Sequence, residues 1–315
     1  MKRKAGGWGN QPLAAFPNDR RYLIGVSGGR DSVALLHWLL SQGYRKLIVC
    51  HFEHGLRGRA GKSDTRFVER LAQKYGLEFE LGSANIASLA ARTKQSTETT
   101  GRNERLAFFE RVGQRRRCLT IFLAHQADDQ VETFLLNLFR GAGGRGLGAM
   151  RARSTFGSLE IARPLLGVWR FEIDQYVKEH RLKFRDDATN ETLHARRNRM
   201  RNKVIPWLEK QYGRNIRATI WRAAVVLAEE EDFLETLTPT SLTNGDALNV
   251  TRLRQLPSAL QRRVIRTWLA QGEVPESGFE VVEKVRGLLT GGASAKINLA
   301  RDRHVRRRAG KIFFE

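Results

Sequence analysis

Six consecutive residues, Ser27-Gly28-Gly29-Arg30-Asp31-Ser32, carry the chemistry read most directly from this chain. Two glycines let the backbone turn sharply and bring its N–H groups close to a ligand; two serines add hydroxyls and Asp31 adds a carboxylate. A helix starting at this turn offers unpaired N–H groups and the positive end of its dipole, which together favour an anion. Phosphate fits that donor set, with Asp31 able to hold Mg²⁺ beside it. An ordinary strand-to-helix turn requires neither the aspartate nor the flanking serines.

A second constellation is His125-Gln126-Ala127-Asp128-Asp129-Gln130. Acidic residues at a helix start favour the dipole, so capping accounts for one aspartate. Two aspartates and a histidine exceed what a cap needs. With Asp31, either Asp128 or Asp129 could hold Mg²⁺, orient an amine or accept its proton. Arg102 and Arg105, read at the start of a helix over 103–117, oppose the dipole there and point to an anionic ligand. The run Arg196-Arg197-Asn198-Arg199-Met200-Arg201-Asn202-Lys203 is the densest basic stretch. Arg197 and Arg201 share a helix face, and the asparagines and Trp207 suit phosphate and base contacts. His51 and His54 lack a third metal ligand, so the turn 51–58 reads better as a nucleotide contact through His54, with Arg57 at its edge.

Two decoys fail. Gly61-Lys62-Ser63 would need its leading glycine at Leu56, and no strand precedes it; the glycines of 141–146 fit G-x-G-x-x-G but follow a helix.

These residues need elements to position them. Apolar runs at 21–26, 46–52, 77–81 and 118–124 read as strands. They alternate with helices over 33–40, 63–75 (Ser63 as N-cap), 103–117 and 128–140, the last with Val131, Phe134, Leu135 and Leu138 at helical spacing. This rhythm predicts an α/β fold: a parallel, Rossmann-like sheet with helices on both faces. Ligands of such sheets bind beyond the carboxyl ends of the strands, where 27–32, 53–58 and 125–129 fall. Residues 141–148 read as a mobile Gly-rich loop ending near Arg140. Helices are expected over 169–180 and 198–212, with Pro206 marking a kink or break. The expected domains are a catalytic one at 1–214, a helical connector and linker at 215–246, and a small α+β domain at 247–315.

The 315 residues hold 55 Lys and Arg against 33 Asp and Glu, a net charge of +22, which favours a polyanion such as nucleic acid. Cys50 and Cys118 allow no disulfide framework or Cys-x-x-Cys site. No apolar run approaches a membrane span, and a cytosolic protein without a membrane partner is expected.

The loop at 27–32 resembles that of the N-type ATP pyrophosphatases. With the turn 51–57, the Arg102/Arg105 helix, 125–130, 135–141, 163–166, 187–190 and 197–201, the chain resembles the tRNA(Ile)-lysidine synthase family over roughly residues 20–210. Gln126 stands where the family often has His, and Leu106 where it often has Tyr. The resemblance implies adenylation of the wobble cytidine of a tRNA(Ile) with a CAU anticodon, then attack by the ε-amine of free L-lysine. It implies ATP bound by Ser27, Gly28, Gly29, Arg30, Asp31, Ser32 and His54, and Mg²⁺ held by Asp31 with Asp128 or Asp129. Asp31, Arg102, His125, Asp128 and Asp129 would serve catalysis. Arg105, Arg140, Arg196, Arg197, Asn198 and Arg201 would face the tRNA. One C-terminal domain, as in compact members, is expected, and a homodimer is compatible with the sequence. The competing readings are a tRNA thiolase of the same superfamily, which two isolated cysteines disfavour, and a non-catalytic RNA-binding protein, which leaves the aspartates unexplained.

Overall fold

The computed structural model describes residue 8 and residues 13–55, 58–185, 195–212, 215–243, 246–274, 278–290, 295–299 and 303–315. The chain divides into two compact units, Met1–Ala228 and Glu229–Glu315.

In the first unit, β1 (Tyr22–Gly25), β2 (Leu47–Glu53), β3 (Glu78–Ser83) and β4 (Thr120–Phe122) are the four strands expected from the apolar runs. A hairpin of β5 (Arg153–Phe156) and β6 (Leu159–Ala162) extends them, giving the order β3-β2-β1-β4-β6-β5. All neighbours are parallel except the β5–β6 hairpin. The pleat sends alternate residues to opposite faces. Ile24, Val49 and Phe122 pack with α1 (Arg30–Ser41), α2 (Arg59–Lys74) and α7 (Arg170–Glu179). Leu23, Ile48 and Ile121 pack with Leu106, Phe109 and Val112 of α4 (Thr97–Arg116), which follows the short α3 (Ile86–Thr93). Layers on both faces are what near-continuous apolar strands require.

Several boundaries differ from the sequence expectation. Helix α2 begins four residues before Ser63, with Gly58 as N-cap at φ 50°, so Ser63 is not a cap. Helix α4 is capped by Ser96, which accepts a bond from the Thr99 N–H. Arg102 and Arg105 therefore lie past its first turn, and the dipole argument for them lapses. Helix α5 (Ala127–Leu138) is followed by the one-turn α6 (Gly144–Leu147), so 141–148 is not a featureless loop. Asn137 Nδ2 donates to Gly146 O at 2.8 Å. The buried Gln130 donates to Met150 O at 2.8 Å and accepts from Met150 N at 2.9 Å. Pro206 does not end its helix: α8 (Ala195–Arg199) runs through a π-helical turn, Met200–Val204, into α9 (Ile205–Tyr212). The wider turn accommodates a residue that has no N–H to donate. Helix α10 (Ile216–Thr236) contains the division between the units.

In the second unit, α11 (Thr240–Thr243), α12 (Val250–Arg254), α13 (Ser258–Gln271) and α14 (Phe279–Gly287) accompany a four-stranded antiparallel sheet. Its strands are β7 (Ala247–Asn249), β8 (Lys296–Asn298), β9 (His304–Arg308) and β10 (Lys311–Phe314), in the order β7-β10-β9-β8. Leu248, Val264, Ile265, Trp268, Val285, Val305 and Ile312 form its core. This is the expected α+β appendage, with β7 added. No helix among the described residues is long and apolar enough to cross a membrane.

Charge separates between the units. Residues 1–228 hold 41 Lys and Arg against 21 Asp and Glu, whereas 229–315 hold 14 against 12. The surplus that attracts a polyanion thus resides almost wholly in the first unit.

Candidate active site

Strand β1 leads into the 27–32 turn, and the local sequence explains its shape. Gly25 leaves room for its neighbours: a Cβ there would stand 2.6 Å from Leu123 Cδ2 and 3.3 Å from the Phe109 ring. Gly28 has φ +91°, a conformation that favours glycine. Gly29 is the N-cap of α1 and provides no side-chain cap. The two serines brace the turn. Ser32 Oγ accepts from Ser27 N at 3.2 Å and donates to Gly29 O at 2.8 Å, while Ser27 Oγ accepts from Gly29 N at 3.2 Å. First-turn amides of α1 are left without a side-chain cap, the arrangement that receives a phosphate oxygen. Arg30 Nε donates to Asp31 Oδ1 at 2.9 Å, and its Nη1 pairs with Asp174 of α7.

This turn forms one end of a cavity of about 510 Å³. Ser27, Gly29, Arg30, Asp31, Ser32, His54, Arg102, Arg105, His125, Arg197 and Arg201 all line it, so residues drawn from five separate stretches of sequence converge. Gly28 forms the turn itself. Arg170 and Arg185, which no spacing pattern distinguished, line it as well.

The cavity lining is rich in cations. Among the described residues, Arg105 Nε, Arg197 Nε and His125 Nδ1 of the lining, and Arg163 Nε and Thr100 Oγ1 outside it, are buried without a hydrogen-bond partner. The nearest carboxylate to Arg197 Nε is Glu98, at 3.8 Å. Burial, then Arg102 and Arg197, bring the Arg105 pKa down to about 10. Arg163, 5% exposed, is lowered to about 10 by burial and Arg102. Its Nη1 is fixed by Arg151 O at 2.8 Å and Ser154 Oγ at 2.9 Å. Burial first, then Arg163, Arg105, Arg197 and Arg102, hold His125 well below its ordinary value. His125 is therefore a neutral imidazole at physiological pH. Buried donors of this kind require an acceptor, and a polyanion supplies one.

The two adjacent aspartates have different surroundings. Asp129 closes a capping box on α5, accepting from Gln126 N at 3.1 Å, and it accepts from Arg201 Nη2 at 3.2 Å. Burial, Glu132 and Asp31 outweigh Arg201 and push its pKa up to about 7. Asp128 is 7% exposed, and both oxygens are taken: Oδ1 by Arg217 Nη1 at 2.8 Å, Oδ2 by Arg170 N at 3.0 Å. Neither aspartate is among the residues lining the cavity, and each has one oxygen on a guanidinium and the other on a backbone N–H. Among the described residues no group of three or more His, Cys, Asp or Glu is arranged as a metal cage. Mg²⁺ commonly needs only one or two carboxylates when phosphates complete its shell, so Asp31 beside the open amides fits that ion.

The remaining candidates scatter. Arg201 is engaged internally, its Nε 2.6 Å from the fully buried Glu132. Its Nε and Nη2 bond Glu132 and Asp129. Arg105 lies in the cavity wall rather than on an outer surface. Arg140 and Arg196 are exposed, and Asn198 is half-buried outside the cavity lining. Arg57 and 187–190 lie outside the described residues. His51 Nδ1 bonds Val26 O at 2.8 Å, a structural use. A hollow of about 700 Å³ in the second unit, lined by the stacked Trp268 and Phe314, has Asp246 as its single charged lining residue and none of this chemistry.

Comparison with known proteins agrees with this geometry. Residues 9–208 match the family model described as PP-loop domain, and 248–313 match the TilS substrate binding domain. The tRNA(Ile)-lysidine synthase of Geobacter sulfurreducens is 36% identical over 311 residues, covering 95% of this chain and 65% of the relative. That of Thermosynechococcus vestitus is 33% identical over 300 residues, covering 92% and 85%. The chain thus spans about two-thirds of the first relative's length and most of the second's. In fold, the first unit is similar to a U34-tRNA thiolase from Methanococcus maripaludis with its [4Fe-4S] cluster: TM-score 0.58, 18% identity, 71% of this chain and 76% of that one. Loop, cationic cavity, domain models and relatives agree, and the chain belongs to the tRNA(Ile)-lysidine synthase family.

Proposed function

We propose that the protein joins free L-lysine to C2 of the wobble cytidine of a tRNA(Ile) with a CAU anticodon. In the first half-reaction cytidine O2 attacks the α-phosphorus of ATP, and pyrophosphate leaves. In the second the lysine ε-amine attacks C2, AMP departs with the former O2, and the amine gives up a proton. The observation that carries this reading is the meeting, in one cavity, of an amide turn suited to a triphosphate with Arg105 and Arg197, whose buried Nε atoms have no hydrogen-bond acceptor.

The turn with Ser27 and Ser32 holds the phosphates that leave as pyrophosphate, and Arg30 ties Asp31 in place. Asp31 is the residue to hold Mg²⁺, which when bound neutralises phosphate charge. Arg102, Arg105 and Arg197 face the RNA phosphates and the adenylyl group. His125, neutral with a free Nδ1, orients or accepts a proton from the incoming amine. A lysine ammonium must shed its proton before it attacks, and a neutral imidazole suits that task. The setting is the cytosol, where tRNA and free lysine occur together.

Thiolation is the weaker reading. Cys118 and Cys50 are buried, and burial drives both thiols upward, away from reactive thiolate. The test is incubation with ATP, Mg²⁺, labelled lysine and bulk tRNA. Label is expected in one isoleucine tRNA, and Asp31→Ala is expected to abolish pyrophosphate release while tRNA binding persists. Full turnover by that variant, or no label in any tRNA, refutes the reading.

A further inference from the structure

Arg217 stands in the first turn of α10, outside the cavity lining. Its Nη1 donates to Asp128 Oδ1 at 2.8 Å, and its Nε lies 3.2 Å from Glu209 Oε1 on α9. The second oxygen of Asp128 accepts the N–H of Arg170, the first residue of α7, at 3.0 Å. One buried carboxylate therefore joins α5, α7 and α10, and the same guanidinium brings in α9. Three of these elements adjoin the site in the chain or line it. Helix α5 carries Asp129 and follows His125, Arg170 lines the cavity, and α9 continues from the segment bearing Arg197 and Arg201.

We propose that Arg217 and Asp128 are a positioning pair that fixes the first turn of α5 against α7, α9 and α10, and that Asp128 takes no part in bond-making. The assignment rests on reading this cavity as the site of adenylyl and lysyl transfer. It follows from the occupancy of Asp128. Its guanidinium and backbone N–H partners both come from other helices, α10 and α7, whereas Asp129 beside it bonds the Gln126 N–H at the start of its own helix and Arg201. Adjacent residues on a helix point about 100° apart, so two neighbouring aspartates naturally serve two directions.

The test compares turnover, the KM for ATP and Tm in the wild type, Arg217→Met, Asp128→Asn and the double variant. Arg217→Met leaves a charged, buried carboxylate without its cation. The site groups drift, and kcat is expected to fall about 100-fold while the KM for ATP holds. Adding Asp128→Asn removes the stranded charge, so the double variant should recover most of the loss; this non-additivity marks a coupled pair. If Arg217→Met does not fold, Arg217→Lys replaces it, because one ammonium cannot span Asp128 and Glu209 together. A merely structural pair would lower Tm and leave kcat intact well below the melting range, and that result overturns the assignment. So does loss of turnover in Asp128→Asn as deep as in Asp31→Ala with Arg217→Met near wild type, because Asp128 would then be a reacting group. Should the wild type consume ATP with tRNA but make no lysidine, the functional reading fails. The four proteins are then compared on ATP consumption, and the same ordering decides the pair.

Discussion

Replacing Arg201 by methionine separates two roles for the densest basic run. If the guanidinium belongs to the protein's own carboxylates, the damage falls on stability. The Glu132 side chain is fully buried, with Arg201 Nε 2.6 Å away, and Asp129 shares the same guanidinium at 3.2 Å. Breaking a buried pair costs about 3–5 kcal/mol. The Arg201 side chain keeps 29% of its exposure, which lets water reach the gap, so the lower end applies. A loss of about 3 kcal/mol corresponds to a fall in Tm of roughly 6–12 °C for a unit of this size. The assay pairs thermal melting with tRNA affinity measured across salt concentration. The slope of log affinity against log salt should stay at the wild-type value, since no phosphate contact is lost. A variant that melts with the wild type while its slope drops by about one would refute the argument and return Arg201 to the RNA.

Arg197→Ala should behave oppositely: Tm nearly unchanged and a salt slope lower by about one, with an unchanged slope counting against direct phosphate contact. Gly28→Ala forces a side chain into φ +91° with its Cβ 3.3 Å from Val68 Cγ2. A stability loss of about 1–2 kcal/mol together with a raised KM for ATP is expected, and wild-type values of both would sink the phosphate-turn reading. In metal-free protein, the folded-state pKa of about 7 at Asp129 lies above the ordinary aspartate value of 3.8. The folded state then binds the proton more tightly, so stability should fall as pH rises from about 4 through about 7. Melting curves in chelator should show that decline in the wild type and a flatter profile in Asp129→Asn; parallel profiles would disprove it.

The parts of the molecule that repeat a local pattern were legible in the residues. Strands β1 to β4 are short apolar runs between polar turns, and the 27–32 turn has a composition that only a ligand explains. Helix α4 was read six residues late because Thr97-Glu98-Thr99-Thr100 is polar and β-branched, and its start is set by the Ser96 cap rather than by periodicity. The β5–β6 hairpin left a signal that passed unread: Gly157 and Ser158 separate two alternating four-residue segments, and Gly157 has φ +54°. Arg170, Arg185 and Arg217 could not be singled out. A lone arginine in an arginine-rich chain carries no spacing signal, and its role depends on which distant strand or helix lies opposite. For the same reason Asp128 and Asp129 looked equivalent in sequence, although Arg217 and Arg201 assign them different partners.

The π-helical turn at Met200–Val204 has a consequence for how this segment tolerates change in length. Such a turn contains one residue more than the α-helical path it replaces. Deleting any one of the five would remove the wide turn that accommodates Pro206 and would swing everything upstream by roughly a quarter-turn about the axis. Arg197 would then leave the cavity rim while the residues beyond the turn kept their seats. Substitutions within 200–204 are therefore judged by side chain, whereas insertions and deletions there act like a change of key and refit the whole lock.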